Sequence, residues 1–155
     1  MRYNKVALAT LLACGLATTA QAKPLDGQST DVMIQGFHWL SSDLNSPNWW
    51  NTIASKAQEL SDAGINMVWF APPQDTPTFA PQGYIPTHLN ILDSFYGTEA
   101  ELVSAINAVH NSGMKAIADV VINHRGGSTG WCDFKNPDWD VSSIVSNDEA
   151  ATDPN

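Results

Sequence analysis

Polar and aromatic side chains accumulate around the ends of three apolar stretches of the sequence. They are Gln35, Phe37, His38 and Trp39 in and after the first stretch, Trp69, Asp75 and Tyr84 in and after the second, and Asp119, Asn123, His124 and Arg125 in and after the third. If the stretches are parallel strands, their carboxyl ends meet at one edge of a sheet, where α/β proteins of this kind bind ligands. These residues are therefore the candidates for a functional site.

The charge of the chain disfavours nucleic acid as a partner. The 155 residues carry a formal net charge of −9 and only seven Lys and Arg, which are scattered along the sequence, whereas phosphate binding needs clustered basic side chains. Sugars are neutral, and the six Trp, three Tyr and five Phe offer flat faces for pyranose rings. We nevertheless expect most of these aromatic side chains to lie in the core.

The spacing of the histidines does not indicate a zinc site. His38, His88 and His110 have no partners at ligand spacing, and neither H-E-x-x-H nor a paired C-x-x-C occurs. His110 is expected on the surface of a helix. The glycines of residues 126–130 lack the Gly-Lys-Ser/Thr of a phosphate-binding motif, so we predict a loop there.

The first 22 residues have the pattern of an export signal. Arg2 and Lys5 precede an apolar run, and the small residues of the stretch 20–22 form a cleavage site before Lys23. The run is too short to span a membrane, which takes about 20 apolar residues. We therefore expect a secreted protein, extracellular or periplasmic, without a membrane anchor.

The two cysteines leave two alternatives open. Cleavage before Cys14 would make the chain a lipoprotein, although the preceding Leu12 fits that site poorly. Cleavage after Ala22 instead leaves Cys132 alone in an oxidising compartment. Its partner then lies beyond Asn155, or Cys132 is unpaired and buried.

Three strands and two helices alternate along the predicted fold. The strands are residues 32–37, 65–70 and 116–122. Crossovers of about 30 residues make them parallel with right-handed connections. Asp119 lies inside the third predicted strand, where an ionised carboxylate has to be paired. From residue 126 onward the periodicity ends, and we predict an irregular excursion.

Terminal residues mark both predicted helices. Ser46 as N-cap and Pro47 at the first position open the first helix, which ends at Gly64. Thr98 and Glu101 form a capping box for the second, which ends at Gly113. The apolar faces comprise Trp50, Ile53, Ala57 and Leu60 in the first helix and Leu102, Ala105, Ile106 and Val109 in the second.

One segment, DVVINH at residues 119–124, resembles the first signature segment of the α-amylase family of glycoside hydrolases. Four further segments match that family in order and spacing: QGFHW at 35–39, VWFAPP at 68–73, GYIP at 83–86 and YGT at 96–98. The resemblance covers roughly residues 31–125 and is greatest to plant-type and related bacterial members. The sequence departs from the commoner family pattern at residues 87–90.

The resemblance implies a fold and an activity. Residues 23–125 would form the first three β/α units of a (β/α)8 barrel, and residues 126–155 would begin an irregular domain inserted after the third strand. The implied activity is endo-hydrolysis of α-1,4-glucosidic bonds in starch-type polysaccharides or maltooligosaccharides by a retaining mechanism. The catalytic nucleophile and acid/base are expected beyond Asn155, so we expect these 155 residues alone to be inactive and to fold poorly.

The resemblance also implies roles for particular residues. Tyr84 would stack on the sugar at the cleavage site, and His124 would hydrogen-bond to the same sugar; without the flanking motifs both would be interpreted as core residues. Asn123 matches a ligand of a structural calcium ion, and the aspartates after residue 130 leave the other ligands open. The expected supporting residues are Asp119, Trp69, Arg125 and Gln35, with Arg125 or a cation further along the chain paired to Asp119.

Two other classes of function remain possible. The chain could belong to a transglycosidase or a debranching enzyme of the same family, which product analysis would separate from a hydrolase. It could also be a small carbohydrate-binding α/β protein without catalysis, which would bind starch and release no product. The full-length hydrolase is expected to be a monomer.

Overall fold

The computed structural model describes residues 30–43, 48–130 and 132–140. The predicted signal peptide, Ser46, Pro47 and residues 141–155 lie outside the described residues. The elements are, in order, β1 (Met33–Gln35), a 3-10 helix (Trp39–Ser42), α1 (Trp49–Asp62), β2 (Met67–Phe70), α2 (Glu99–Asn111) and β3 (Lys115–Ala118). The predicted alternation of three strands and two helices is confirmed.

All three strands belong to one parallel sheet with the order β1-β2-β3. Gln35 lies opposite Trp69, and Phe70 lies opposite Ala118. Each strand is shorter than predicted, because pairing extends only along the four residues of β2. Asp119 therefore follows β3 instead of lying inside it, and Val120 and Ile122 beyond it are 59% and 90% exposed.

Helix α1 is connected to α2 at its N-cap. Its N-cap is Asn48, whose side chain accepts a hydrogen bond of 3.1 Å from Asn51 N. Asn48 Nδ2 also donates to Glu101 Oε2 at 2.6 Å, which connects this cap to α2. The helix as described starts at Trp49, and the predicted start at Ser46 and Pro47 lies outside the described residues. The predicted end of α1 at Gly64 is confirmed. Gly64 has a φ of 90°, a left-handed backbone conformation that is common just after the last residue of a helix.

Helix α2 has the predicted capping box. Glu101 N donates to Thr98 Oγ1 at 3.3 Å, and Thr98 N donates to Glu101 Oε2 at 2.9 Å. Bonds from the Thr98 backbone, and next from the Asn48 side chain, lower the pKa of Glu101 to about 2. Glu101 thereby joins the first turns of both helices.

The core lies between the two helices and one face of the sheet. Val68 and Phe70 point to the same face of β2 because strand side chains alternate. They pack with the apolar faces of the helices, and the rings of Trp50 and Phe70 lie 5.7 Å apart. Leu60 and Ile106 are partly buried at the margin of this cluster. None of the helices in the described ranges is long and apolar enough to cross a membrane.

Candidate functional site

The carboxyl ends of the strands bring Trp69, Tyr84 and Asp119 together. Asp119 Oδ2 accepts a hydrogen bond of 2.9 Å from the Tyr84 hydroxyl and one of 3.2 Å from Trp69 Nε1. Because residues alternate along β2, Trp69 points away from the helices and toward this site. The predicted pairing of Asp119 with Arg125 is wrong, since Arg125 bonds to backbone carbonyls and the two donors to Asp119 are neutral; a cation further along the chain would lie outside the described residues.

Tyr84 is held so that its hydroxyl stays protonated. Burial, the hydrogen bond to Asp119 and the negative charge of that carboxylate raise the pKa of Tyr84 to about 12. The preceding Gly83 has a φ of 88°, and a Cβ there would lie 2.4 Å from the Pro72 carbonyl oxygen. The turn that presents Tyr84 therefore requires glycine at residue 83.

His124 lies beside Tyr84 and exposes one ring nitrogen to a ligand. Its Nε2 is 2.6 Å from the Tyr84 carbonyl oxygen. A carbonyl can only accept, so Nε2 carries the proton, and the Nδ1 of the neutral ring is an acceptor. His124 is exposed, so a ligand hydroxyl can donate to Nδ1.

Arg125 connects the loop after β3 to the loop after β2. Its guanidinium donates to the carbonyl oxygens of Thr87 at 2.9 Å, Pro137 at 2.9 Å, and Lys135. The same group lies 4.4 Å from the Trp139 ring centroid, within range of a cation–π interaction. Burial lowers the pKa of Arg125. Arg125 therefore supports residues 132–140 instead of neutralising Asp119.

Further contacts join the two loops on either side of Arg125. Gly126 N donates to the Pro86 carbonyl at 3.0 Å, and Asn90 N donates to the Asn136 carbonyl at 3.1 Å. Residues 84–90, 124–130 and 132–136 thus form a rim at the carboxyl edge of the sheet. No sequence motif predicted these contacts. Each of them joins residues that are about 40 positions apart or more, in loops without periodicity.

Gln35 and His38 lie near the end of β1 but do not bond to Asp119. Gln35 Nε2 donates to the Phe37 carbonyl at 3.1 Å. His38 Nδ1 accepts from Leu40 N at 3.2 Å and caps the 3-10 helix. Both residues therefore shape the β1 end of the edge, and the structure does not bring them to the cluster of Asp119 and Tyr84.

Asn123 stands alone as a candidate calcium ligand in the described part of the chain. It is exposed, and no group of three or more His, Cys, Asp or Glu side chains gathers among the described residues. Asp133 instead accepts hydrogen bonds from Thr129 and Gly130, which lower its pKa to about 2. Since calcium takes about six to eight oxygens, the described residues do not make a complete site. Cys132 is partly exposed, unlike the buried cysteine considered above.

Comparison of the sequence with known families and proteins identifies its relatives. The family model "Alpha amylase, catalytic domain" matches residues 39–144. Alpha-amylase 3, chloroplastic, of Arabidopsis thaliana is 33% identical over 133 residues, covering 79% of this chain and 14% of that protein. The alpha-amylase of Geobacillus stearothermophilus is 34% identical over 138 residues, covering 81% of this chain and 24% of that protein. The chain thus spans less than a quarter of the length of either relative.

Solved structures share the fold. Wild-type alpha-amylase I from Eisenia fetida superposes with a TM-score of 0.53 at 23% identity, covering 74% of this chain and 22% of that one. Alternansucrase in complex with isomaltononaose gives 0.51 at 28% identity, covering 59% and 9%. The parallel sheet and its crossover helices accordingly correspond to the first β/α units of a (β/α)8 barrel. Together with the match over residues 39–144, this places the chain in the α-amylase family of glycoside hydrolases.

Proposed function

We propose that this chain forms one wall of the active site of a full-length α-amylase that cleaves α-1,4-glucosidic bonds within starch and related glucans. The observation that carries the proposal is the cluster of Trp69, Tyr84 and Asp119 at the carboxyl edge of the sheet. Active sites of (β/α)8 barrels are built at this edge. The family match over residues 39–144 supports the same reaction class.

The proposed substrate-binding residues are Tyr84 and His124. Asp119 holds the Tyr84 hydroxyl at 2.9 Å, so the ring has a fixed orientation in which a face can cover the apolar C–H surface of a glucose ring. Nδ1 of His124 accepts from a hydroxyl of the same sugar. A site that offers one aromatic face for stacking and one hydrogen-bond acceptor suits a neutral saccharide, which needs no charged side chain to bind it.

Asp119 is assigned a supporting role and not a catalytic one. A retaining glycosidase needs two carboxyl groups about 5–5.5 Å apart, one of which attacks the sugar. Oδ2 of Asp119 instead accepts from both Tyr84 and Trp69, which suits a residue that orients the two aromatic side chains. We place the nucleophile and the acid/base beyond Asn155, in the remaining length that the relatives have.

We also propose that the full-length protein binds a structural calcium ion, is secreted and is a monomer. Asn123 would supply one oxygen to a structural calcium ion whose other ligands lie outside the described residues. Calcium would stabilise the rim, and no chemical step is assigned to it. Secretion is supported by the pattern of residues 1–22 alone. We propose that residues 126–155 begin a domain inserted after β3.

Transglycosylation is the second candidate, favoured by the likeness to alternansucrase at 28% identity. The test is to incubate the full-length protein with soluble starch and with maltoheptaose and to follow reducing ends and product linkages. A hydrolase of α-1,4 bonds increases reducing ends with both substrates and yields only shorter α-1,4-linked products from maltoheptaose. New linkages or longer products would instead identify a transglycosidase, α-1,6 cleavage a debranching enzyme, and binding without products a non-catalytic protein.

A further inference from the structure

Asp75 and His88 are held side by side within the loop that follows β2. Thr87 N donates to the Asp75 carbonyl at 2.9 Å, and Asp75 N donates to the Ile91 carbonyl at 3.0 Å, which forms a small antiparallel bridge. Across it, His88 Nδ1 is 2.5 Å from Asp75 Oδ2, which also accepts from Thr87 Oγ1 at 3.2 Å. The backbone therefore fixes the imidazole against an acceptor.

The other nitrogen of His88 reaches the loop after β3. His88 Nε2 is 3.0 Å from Ser128 Oγ. Because the Asp75 carboxylate accepts, Nδ1 carries the proton of the neutral ring and Nε2 accepts from the Ser128 hydroxyl.

The order Asp75, His88, Ser128 is that of a nucleophilic hydrolase, but the surroundings do not suit that chemistry. An acyl-transfer site needs free hydrogen-bond donors for the oxyanion, commonly backbone N–H groups beside the nucleophile. The neighbouring N–H groups of Thr129 and Gly130 both donate to the Asp133 carboxylate, at 2.7 and 2.9 Å. These two N–H groups are therefore not free to bind an oxyanion, and a positioning role fits the contacts of the serine.

The turn at residues 126–130 behaves as one compact unit. Asp133 holds its backbone, and a Cβ on Gly127 would lie 1.9 Å from the Gly130 carbonyl oxygen. Two contacts hold this unit on the loop after β2: Gly126 N to the Pro86 carbonyl at 3.0 Å, and Ser128 to His88. The bond to His88 holds the middle of the turn, so its loss lets residues 128–130 shift while Gly126 and Asn136 stay bonded to the loop after β2.

We propose that His88, positioned by Asp75, fixes the turn at residues 126–130 as part of the glucan-binding rim and so sets affinity for longer glucan chains. This proposal rests on the proposed function. Thr129 and Gly130 are exposed on the turn, which follows His124 by only a few residues. The bonds from His124 to the Tyr84 carbonyl and from Gly126 to the Pro86 carbonyl hold this turn beside the proposed sugar site, where neighbouring sugar units of a longer glucan would reach it.

The test measures kcat and KM of the full-length protein on maltooligosaccharides of increasing length. We expect Ser128→Ala and His88→Asn each to raise KM for long substrates about threefold to tenfold, the equivalent of one lost hydrogen bond. KM for the shortest cleaved substrate and kcat should change less than about twofold. Ser128→Thr, which keeps the hydroxyl, should restore the wild-type KM, and His110→Gln on the exposed surface of α2 is the matched control.

A double-mutant cycle separates positioning from a general structural effect. The KM increases of His88→Asn and Ser128→Ala should not multiply in the double variant, because both remove the same contact. Unchanged KM for long substrates, or equal losses for all chain lengths with a lower melting temperature, would overturn the inference. If the wild-type protein releases no product from starch, the proposed function itself fails, which is a distinguishable result.

Discussion

The Tyr84 hydroxyl donates a hydrogen bond of 2.9 Å to Asp119 Oδ2, across 35 residues of sequence. This bond joins the loop after β2 to the end of β3 and fixes the ring that we propose as the sugar-stacking surface. The same oxygen accepts from Trp69 Nε1 at 3.2 Å. One carboxylate oxygen therefore orients two aromatic side chains at the carboxyl edge of the sheet.

Replacement of Asp119 distinguishes support from catalysis. Asp119→Asn retains an acceptor oxygen but loses its charge, and charge-assisted bonds are roughly twice as strong as neutral ones. We expect kcat/KM of the full-length protein on starch to fall about tenfold, whereas loss of a nucleophile costs about 10⁴-fold or more. Asp119→Ala, which leaves the Tyr84 hydroxyl and the indole N–H unpaired, should be worse than Asp119→Asn. Loss of all activity in a folded Asp119→Asn variant would contradict the supporting role.

The ring and the hydroxyl of Tyr84 are expected to contribute separately. Tyr84→Phe keeps the ring and removes one hydrogen bond, so kcat/KM should fall about threefold to tenfold. Tyr84→Ala also removes the stacking face and should cost about tenfold more. Steady-state kinetics on maltoheptaose measures both variants. Equal kinetics for Tyr84→Ala and the wild type would show that the ring does not bind the sugar.

Glycine at residue 83 is expected to matter more than glycine at residue 113. Both have positive φ, 88° and 78°, but only at Gly83 would a Cβ meet the Pro72 carbonyl, at 2.4 Å. Gly113→Ala should destabilise the protein by about 1–2 kcal/mol through its backbone conformation alone. Gly83→Ala adds about 1–3 kcal/mol of steric strain and displaces Tyr84. Urea unfolding of the pair, with kinetics, gives both quantities; equal effects would rule out the close contact.

Glu101 is expected to make stability depend on pH in the acidic range. Its pKa is lowered from 4.5 to about 2 in the folded state, so the folded protein binds fewer protons than the unfolded chain. Its contribution is present above pH 4.5 and is lost as the pH falls toward about 2. The difference in melting temperature between wild type and Glu101→Gln should shrink across this window. A constant difference would contradict the lowered pKa.

Arg125 is expected to stabilise residues 132–140. Arg125→Lys replaces three directed donors and a planar stacking group by a single ammonium, which cannot reach all three carbonyls at once. We expect a loss of about 1–3 kcal/mol of local stability, seen as faster amide hydrogen exchange in residues 132–140. The exposed substitution Lys56→Arg on α1 is the control. Unchanged exchange in Arg125→Lys would show that the three contacts are not needed.

Local signals in the sequence predicted the secondary structure well. The capping box of Thr98 and Glu101 is confirmed because it depends on residues three positions apart, and the end of α1 at Gly64 depends on one residue. The N-cap of α1 is Asn48, whose side chain also bonds to Glu101, 53 residues away, a contact that no local pattern indicated. Helix ends that depend on a tertiary contact cannot be located from local sequence.

The candidate site shows the same division between local and distant contacts. The motifs predicted that Tyr84, Asp119 and His124 lie at one edge, because strand ends converge in any parallel sheet. They did not predict the partner of Asp119, since Arg125 is near in sequence but points toward the carbonyls of residues 87, 135 and 137. The contact of His88 with Ser128 joins two loops without a motif.

The anomeric configuration of the first products tests the proposed function most directly. The full-length protein should be mixed with maltoheptaose and followed by proton nuclear magnetic resonance before mutarotation proceeds. We expect shorter maltooligosaccharides released with the α configuration, as retaining cleavage of α-1,4 bonds requires. Products of the β configuration, or no products from a folded full-length protein, would contradict the assignment of this chain to a retaining α-amylase.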